Sequence, residues 1–274
     1  MNLAWSIVIL LAANAVAIAA LLLVRRTAPE GSYFADGDRA SGVFGVLATG
    51  FAIFAGFVIF LAFTSYDQSR SGAEAEALAV VQQFETAQFL PAQVRDRLAG
   101  ELVCYGRSVV HQEWPSMGEG KAGDTINPWA VALFRSLRLA KPTAATEQSA
   151  YDKWLDQTSD REEARRDRIH GAAGIVPSSV WLVLFLTAGV VFAYMLFFAD
   201  SGERARSQAM LIGSATTVVV ATLLAINALD NPYRPGVGSI RPAAMERSLD
   251  LIDEAREVLK LTARLPCNEE GDPL

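Results

Sequence analysis

Cysteine and histidine are nearly missing from this 274-residue chain, which holds only Cys104, Cys267, His111 and His170. Two cysteines make neither a disulfide framework nor a zinc site, and two histidines leave no His-rich metal centre and few general bases. Ser-Gly pairs such as Ser71-Gly72 lack any nucleophile context, and the acidic residues are scattered. These absences describe a non-enzymatic chain with no catalytic residues, no metal and no cofactor. The net charge is −6 and no basic patch is interleaved with aromatics, which excludes nucleic acid as a partner. Strand-type alternation and internal repeats are also missing, so the expected fold class is all-α.

What the chain does have is apolar length. Its residues are 51% hydrophobic and its mean hydropathy is +0.24. That content is gathered into four runs, 3–24, 41–63, 180–199 and 209–229, with no Asp, Glu, Lys or Arg inside them. Each reaches the roughly 20 residues a helix needs to cross about 30 Å of hydrocarbon. Helices satisfy their own backbone in lipid, so four transmembrane helices embedded in a bilayer are expected. The first run lacks a basic leader, exceeds a signal-peptide core in length and is followed by Arg25-Arg26, which reads as a retained helix.

The organisation that follows is transmembrane helices 1 and 2 in 1–63, a helical extramembrane segment in 64–179, transmembrane helices 3 and 4 in 180–229, and a helical tail in 230–274 that packs on the extramembrane segment. An even number of crossings puts 64–179 and the tail on one side, the two cysteines with them. A bridge between those cysteines requires that side to be oxidising. Helical patterns run over 72–90, over 92–114 up to Pro115, over 128–140, and from Tyr151 to the glycines near 171; 116–128 reads as a loop. In the tail, Met245, Leu249, Ile252, Val258 and Leu261 form a candidate buried stripe.

Arg161, Arg165, Arg166 and Arg168 alternate with Asp160, Glu162, Glu163 and Asp167, the pattern of a solvated face with pairs such as Glu162 to Arg166. On the last span, Thr216, Thr217, Thr222 and Asn227 are candidates for interhelical hydrogen bonds. Sidedness is left open. Near the span ends the short-loop side has Arg25, Arg26, Arg39, Arg204 and Arg206, five, against Arg70, Arg165, Arg166, Arg168, Arg234 and Arg241, six, on the other.

The second span carries phenylalanine at 51, 54, 57, 60 and 63. At about 100° per residue, steps of three wind around a helix, so these rings do not share a face. Ala48, Ala52, Ala55 and Ala62 do fall on one narrow line, interrupted by Ile59, and read as a packing face within or between subunits. Opposite them lie Val46, Gly50, Ile53, Phe57 and Phe60 or Leu61, continued by Thr64, Gln68 and Ser71. An apolar collar opening into hydroxyl and amide groups suits the wall of a water-filled path that gates by dewetting. The same line suits a face toward lipid. Four helices of one chain cannot enclose such a path while packing on one another, so the pore reading requires a cyclic homo-oligomer.

The order of features resembles the bacterial bestrophin-like domain family. The residues that carry it are the helix ending in Arg25-Arg26, "TSYDQSR" at the exit of the second span, "AEAEALAVV", "YGRSVVHQEWPSM", "EEARRDRI" and "LDNPYRPG", and within them Tyr105, Glu113, Trp114, Pro115, Met117, Asp230, Pro232, Tyr233 and Gly236. That family is distantly similar to the bestrophins proper, anion channels in which identical subunits surround one pore. Aligning their neck "GF" on Gly56-Phe57 implies a pore neck of Ile53, Phe57 and Phe60 and a mouth of Thr64, Gln68 and Ser71. The resemblance further implies five subunits, with four as the alternative, chloride or other small anions as the permeant species, and a multi-pass place in the bacterial inner membrane with a cytoplasmic helical domain. "RPGVGSIRP" stands where calcium-responsive bestrophins have an acidic run, which implies no calcium gating. The bland reading of "NPY" is a helix stop at Pro232 and an interfacial anchor at Tyr233. A non-conducting membrane scaffold or regulatory subunit, binding a partner through the helical domain, is the alternative function. It would expose Trp114 and Met117, whereas a channel domain would bury them.

Overall fold

A computed structural model describes residues 3–121 and 126–274. Residues 1–2, and 122–125 within the expected 116–128 loop, lie outside the described residues. The order is α1 (Leu3–Arg25), α2 (Gly37–Ala87), α3 (Ala92–Ser108), a π-helical turn (Val109–Glu113), α4 (Trp114–Gly118), α5 (Pro128–Leu137), α6 (Ala145–His170), α7 (Ser178–Phe197), α8 (Ala205–Asp230) and α9 (Ala243–Val258). Among the described residues there is no strand, only an isolated bridge between Cys267 and Pro273.

α1, α2, α7 and α8 are long and apolar enough to cross a membrane, and they coincide with the four runs. The second of them does not stop where its apolar run stops. α2 is one helix of 51 residues that joins the 41–63 span to the helix expected at 72–90. Nothing between them breaks a helix: 64–71 contains neither proline nor glycine, and a single Gly72 costs only about 1 kcal/mol relative to alanine. α6 likewise starts earlier than expected, because the Glu147 carboxylate accepts from the backbone N–H groups of Thr143 (2.7 Å) and Ala144 (3.2 Å) and closes its first turn.

The chain divides into two compact units. The membrane unit comprises Met1–Thr64, Ile175–Asp230 and Pro235–Gly238. Here α2 packs Phe51, Ala55 and Val58 with Leu184, Ala188 and Val191 of α7 and Ile226 of α8. Of the small-residue line, Ala55 and Ala62 are buried, Ala48 is half-buried and Ala52 is exposed. The buried face is therefore rotated by part of a turn toward Phe51 and Val58, whose larger side chains fill space the alanines leave. α1 is tied to α8 by Asn14, which donates to the Thr217 hydroxyl at 3.0 Å. Thr222 does not reach across as expected; its hydroxyl donates to the Val218 carbonyl of its own helix at 2.8 Å.

The domain unit comprises Ser65–Gly174, Asn231–Arg234 and Ser239–Leu274. Its core holds Val80 and Phe84 of α2, Leu98 and Leu102 of α3, Leu133 of α5, Trp154 of α6, and Met245 and Ile252 of α9. α2 and α6 approach closely at Gly72, where an added Cβ would lie 2.4 Å from the Arg168 backbone nitrogen. Val258 is exposed rather than part of the tail stripe. Thirteen residues from Met245 it has turned about 220° around the helix, so the buried line closes through half-buried Ala255 instead. Cys104 and Cys267 are joined as a disulfide, Cα atoms 5.8 Å apart.

Candidate functional site

In the membrane unit, the face of α2 turned away from α7 and α8 is open. Ile53 is 70% exposed, Phe57 60% and Phe60 63%, with Val46 and Leu61 exposed beside them. A Cβ added at Gly50 or Gly56 would meet nothing within 4 Å. Thr64 is exposed, its hydroxyl donating to the Phe60 carbonyl at 2.9 Å. Within the domain unit, Gln68 and Ser71 are exposed on the same helix, and the Gln68 amide donates to Asp167 Oδ1 at 2.8 Å. Other exposed residues on this length of α2 include Asp67, Arg70, Glu74, Leu78, Gln82 and Glu85. Arg70 is paired with Glu74 at 3.3 Å. Contiguous exposed apolar side chains on one helix mark a surface that meets lipid or another subunit.

The second constellation lies inside the domain unit and is built around a residue that charge alternation assigned to solvent. Arg168 is fully buried. Its guanidinium grips both carboxylate oxygens of Glu76, equally buried, and donates to Glu113 Oε2 at 2.6 Å. It also lies 5.4 Å from the centre of the Trp114 ring and 3.5 Å from Met117 Sδ. The Tyr105 hydroxyl donates to Glu76, and the Tyr233 hydroxyl to the Arg168 carbonyl. Glu113 further accepts from Asn127 at 2.8 Å and pairs with Arg165 at 3.3 Å. The π-helical turn precedes Trp114 and helps aim Glu113 and Trp114 at the same guanidinium.

One heptad along, Arg161 repeats the arrangement, donating to Gln83 Oε1 at 2.7 Å and stacking 4.8 Å over the Tyr105 ring. Burial opposes the Arg168 charge, but Glu76 and Glu113 outweigh it and hold the guanidinium above its usual range. Burial also pushes Glu113 up, and there Arg168 and Arg165 prevail, leaving its carboxyl below the usual glutamate range. Burial and the Glu76 carboxylate hold the Tyr105 phenol well above its own. With its oxygens matched to guanidinium, amide and phenol donors, the network has the chemistry of a structural clamp rather than of an acid, a base or a metal site. Among the described residues no group of three or more His, Cys, Asp or Glu could hold a metal ion.

The profile of the Bestrophin-like domain matches residues 11–245. The chain belongs to the Bestrophin-like domain family. Among solved structures it is similar to a bacterial bestrophin homologue from Klebsiella pneumoniae, seen in two point variants. One has a TM-score of 0.64 at 16% identity, covering 95% of this chain and 98% of the other. The second has a TM-score of 0.65 at 16% identity, covering 94% and 98%. A crystal structure described as a membrane protein gives a TM-score of 0.67 at 15% identity, covering 93% and 99%. At such identities the likeness establishes the bestrophin fold. No curated protein matches the chain.

In this bestrophin-like chain the motif residues divide between the units. Tyr105, Glu113, Trp114, Met117 and Tyr233 converge on Arg168, while Pro115 is exposed in the first turn of α4. Pro232 is buried and its carbonyl accepts from Ile240 N at 2.8 Å, and Trp114 Nε1 donates to the Ile240 carbonyl at 3.2 Å. Asp230 works in the membrane unit, accepting from the backbone of Ile175 (2.8 Å) and Val176 (2.9 Å) and from Trp181 Nε1 (3.4 Å), which ties the end of α8 to the start of α7. Gly236 is half-buried in the same unit. Sequence reasoning missed Glu76, Gln83, Arg161 and Arg168 as core residues. The available signal was spacing: Trp154, Arg161 and Arg168 recur every seven residues, as do Ser69, Glu76, Gln83 and Leu90, and all seven are buried.

Proposed function

We propose that this chain forms a passive ion channel as a cyclic homo-oligomer, five copies by family likeness, with α2 of each copy facing a central path. Ile53, Phe57 and Phe60 would form a hydrophobic neck that excludes water when closed, and Thr64, Gln68 and Ser71 its polar mouth. The observation that carries this reading is the open face of α2: Ile53, Phe57 and Phe60, each largely exposed, followed on the same helix by exposed polar groups. The family places such proteins in the bacterial inner membrane and makes small anions such as chloride the first candidate for the permeant species. Calcium gating and catalysis are not part of the proposal.

A specific observation favours a second reading of selectivity. Along the extramembrane length of α2 the exposed ionisable groups are Asp67, Glu74 and Glu85 against Arg70, and rings of carboxylates favour cations over anions. The scaffold alternative is weakened by the burial of Trp114 and Met117, which it needs as contacts for a partner. Reconstitution into a planar bilayer under a salt gradient tests the proposal. A reversal potential displaced toward chloride supports anion conduction, and displacement toward the cation supports the acidic-ring reading. Silence from a sample of proven oligomeric mass rejects the channel.

A further inference from the structure

Cys104 and Cys267 stand 163 residues apart in sequence, one at the heart of α3 and the other beyond α9, yet both are buried and bonded to each other. They are all the cysteine this chain has, so no thiol is left free. The bond fastens a short hook formed by the residues after 265. Trp129 Nε1 donates to the Gly271 carbonyl at 2.7 Å, Arg107 to the Asn268 carbonyl at 3.0 Å, and Gln112 to Asp272 Oδ1 at 2.9 Å. Gly271 has φ +86 and seats so closely that an added Cβ would lie 2.5 Å from the Ser108 nitrogen. Residues 262–264, which lead into the hook, are exposed. The covalent link therefore joins this hook to the domain core, and such links persist in oxidising compartments and are rare in the cytosol.

The arginines do not oppose placing the domain in such a compartment. Near the span ends Arg25, Arg26, Arg39, Arg204 and Arg206 on the short-loop side, five, face Arg70, Arg165, Arg166, Arg168, Arg234 and Arg241 on the domain side, six, a balance that favours neither side.

We infer that the helical domain lies on the extracytoplasmic, oxidising face of the membrane, opposite to the side the family likeness implies, and that Cys104–Cys267 is an oxidation site closed there. Closure joins the two sulfurs and releases two protons and two electrons. The electrons pass to a disulfide-bonded thiol oxidase of that compartment, which leaves as its dithiol. The inference does not depend on conduction.

Two measurements on the full chain test it. Cells are acid-quenched, the protein is denatured, and a polyethylene-glycol maleimide is added with and without prior reduction. Two polymer-sized shifts only after reduction are expected; two shifts without reduction overturn the inference. In parallel, reporters are fused after Leu274. Alkaline phosphatase activity with a dark green fluorescent protein is expected, and a fluorescent fusion with inactive phosphatase overturns the inference whatever the maleimide result.

Discussion

Replacing Arg168 with methionine probes the clamp at its centre. The substitution keeps much of the aliphatic stem and removes the guanidinium, so packing changes little and charge changes completely. Glu76, 0% exposed, loses a two-point partner, and Glu113, 11% exposed, keeps Arg165 at 3.3 Å as its one cation, with the Asn127 amide at 2.8 Å. Breaking a buried ion pair from one side costs about 3–5 kcal/mol, because the surviving charge stays desolvated. For a domain whose whole stability is of order 5–15 kcal/mol, that is a large fraction. Glu76→Gln should be milder, about 1–3 kcal/mol, since Arg168 keeps Glu113 and the amide can still accept from Tyr105. In the double variant the lost partners are the same, so its cost should fall short of the sum by about 0.5–3 kcal/mol. Denaturant unfolding of the purified protein, followed by the fluorescence of Trp114 and its neighbours, gives all three values. An Arg168→Met cost below about 1 kcal/mol, or strict additivity, would refute the reasoning.

Acid should loosen the same network. The folded-state pKa of Glu113 is depressed, so its contribution is present above the unfolded value of about 4.3 and is lost as pH falls through the folded value. A pH series of unfolding midpoints should show this acid limb in wild type and a flatter one in Glu113→Gln. Gly72→Ala should cost about 1–3 kcal/mol, because the new methyl meets backbone atoms of Arg168 and Ala164; unchanged midpoints would contradict the close crossing of α2 and α6. Ala55→Leu should lower the thermal midpoint in detergent by a comparable overpacking against α7 and α8, whereas Gly50→Ala, whose methyl meets nothing within 4 Å, should not lower it.

The spans were legible because hydrocarbon imposes a length and forbids charge, and four runs met both conditions. The length of α2 was not, because the change from apolar to polar at Thr64 looks like the end of an element although no residue there breaks a helix. The open face of α2 could be drawn from the 100° step alone, but the true buried line passes through Phe51 and Val58, since facing side chains of α7 set where bulk is needed. The clamp was hidden by its own chemistry. Arg161 and Arg168 sit in an alternating-charge segment that normally faces water, and the carboxylates of Glu76 and Glu113 and the amide of Gln83, all distant in sequence, make their burial tolerable. The cysteines could be placed on one side of the membrane by parity, but their pairing needed the hook that brings residue 267 back to α3.

The account stands or falls on the collar of α2. Single-channel recording of wild type beside the Ile53→Ala, Phe57→Ala variant, in samples of matched oligomeric mass, tests it most directly, because shortening both side chains should widen and rehydrate the neck. The account predicts larger or longer openings in the variant, with selectivity unchanged from wild type. Identical currents from the two proteins, or the absence of current from both, would contradict it.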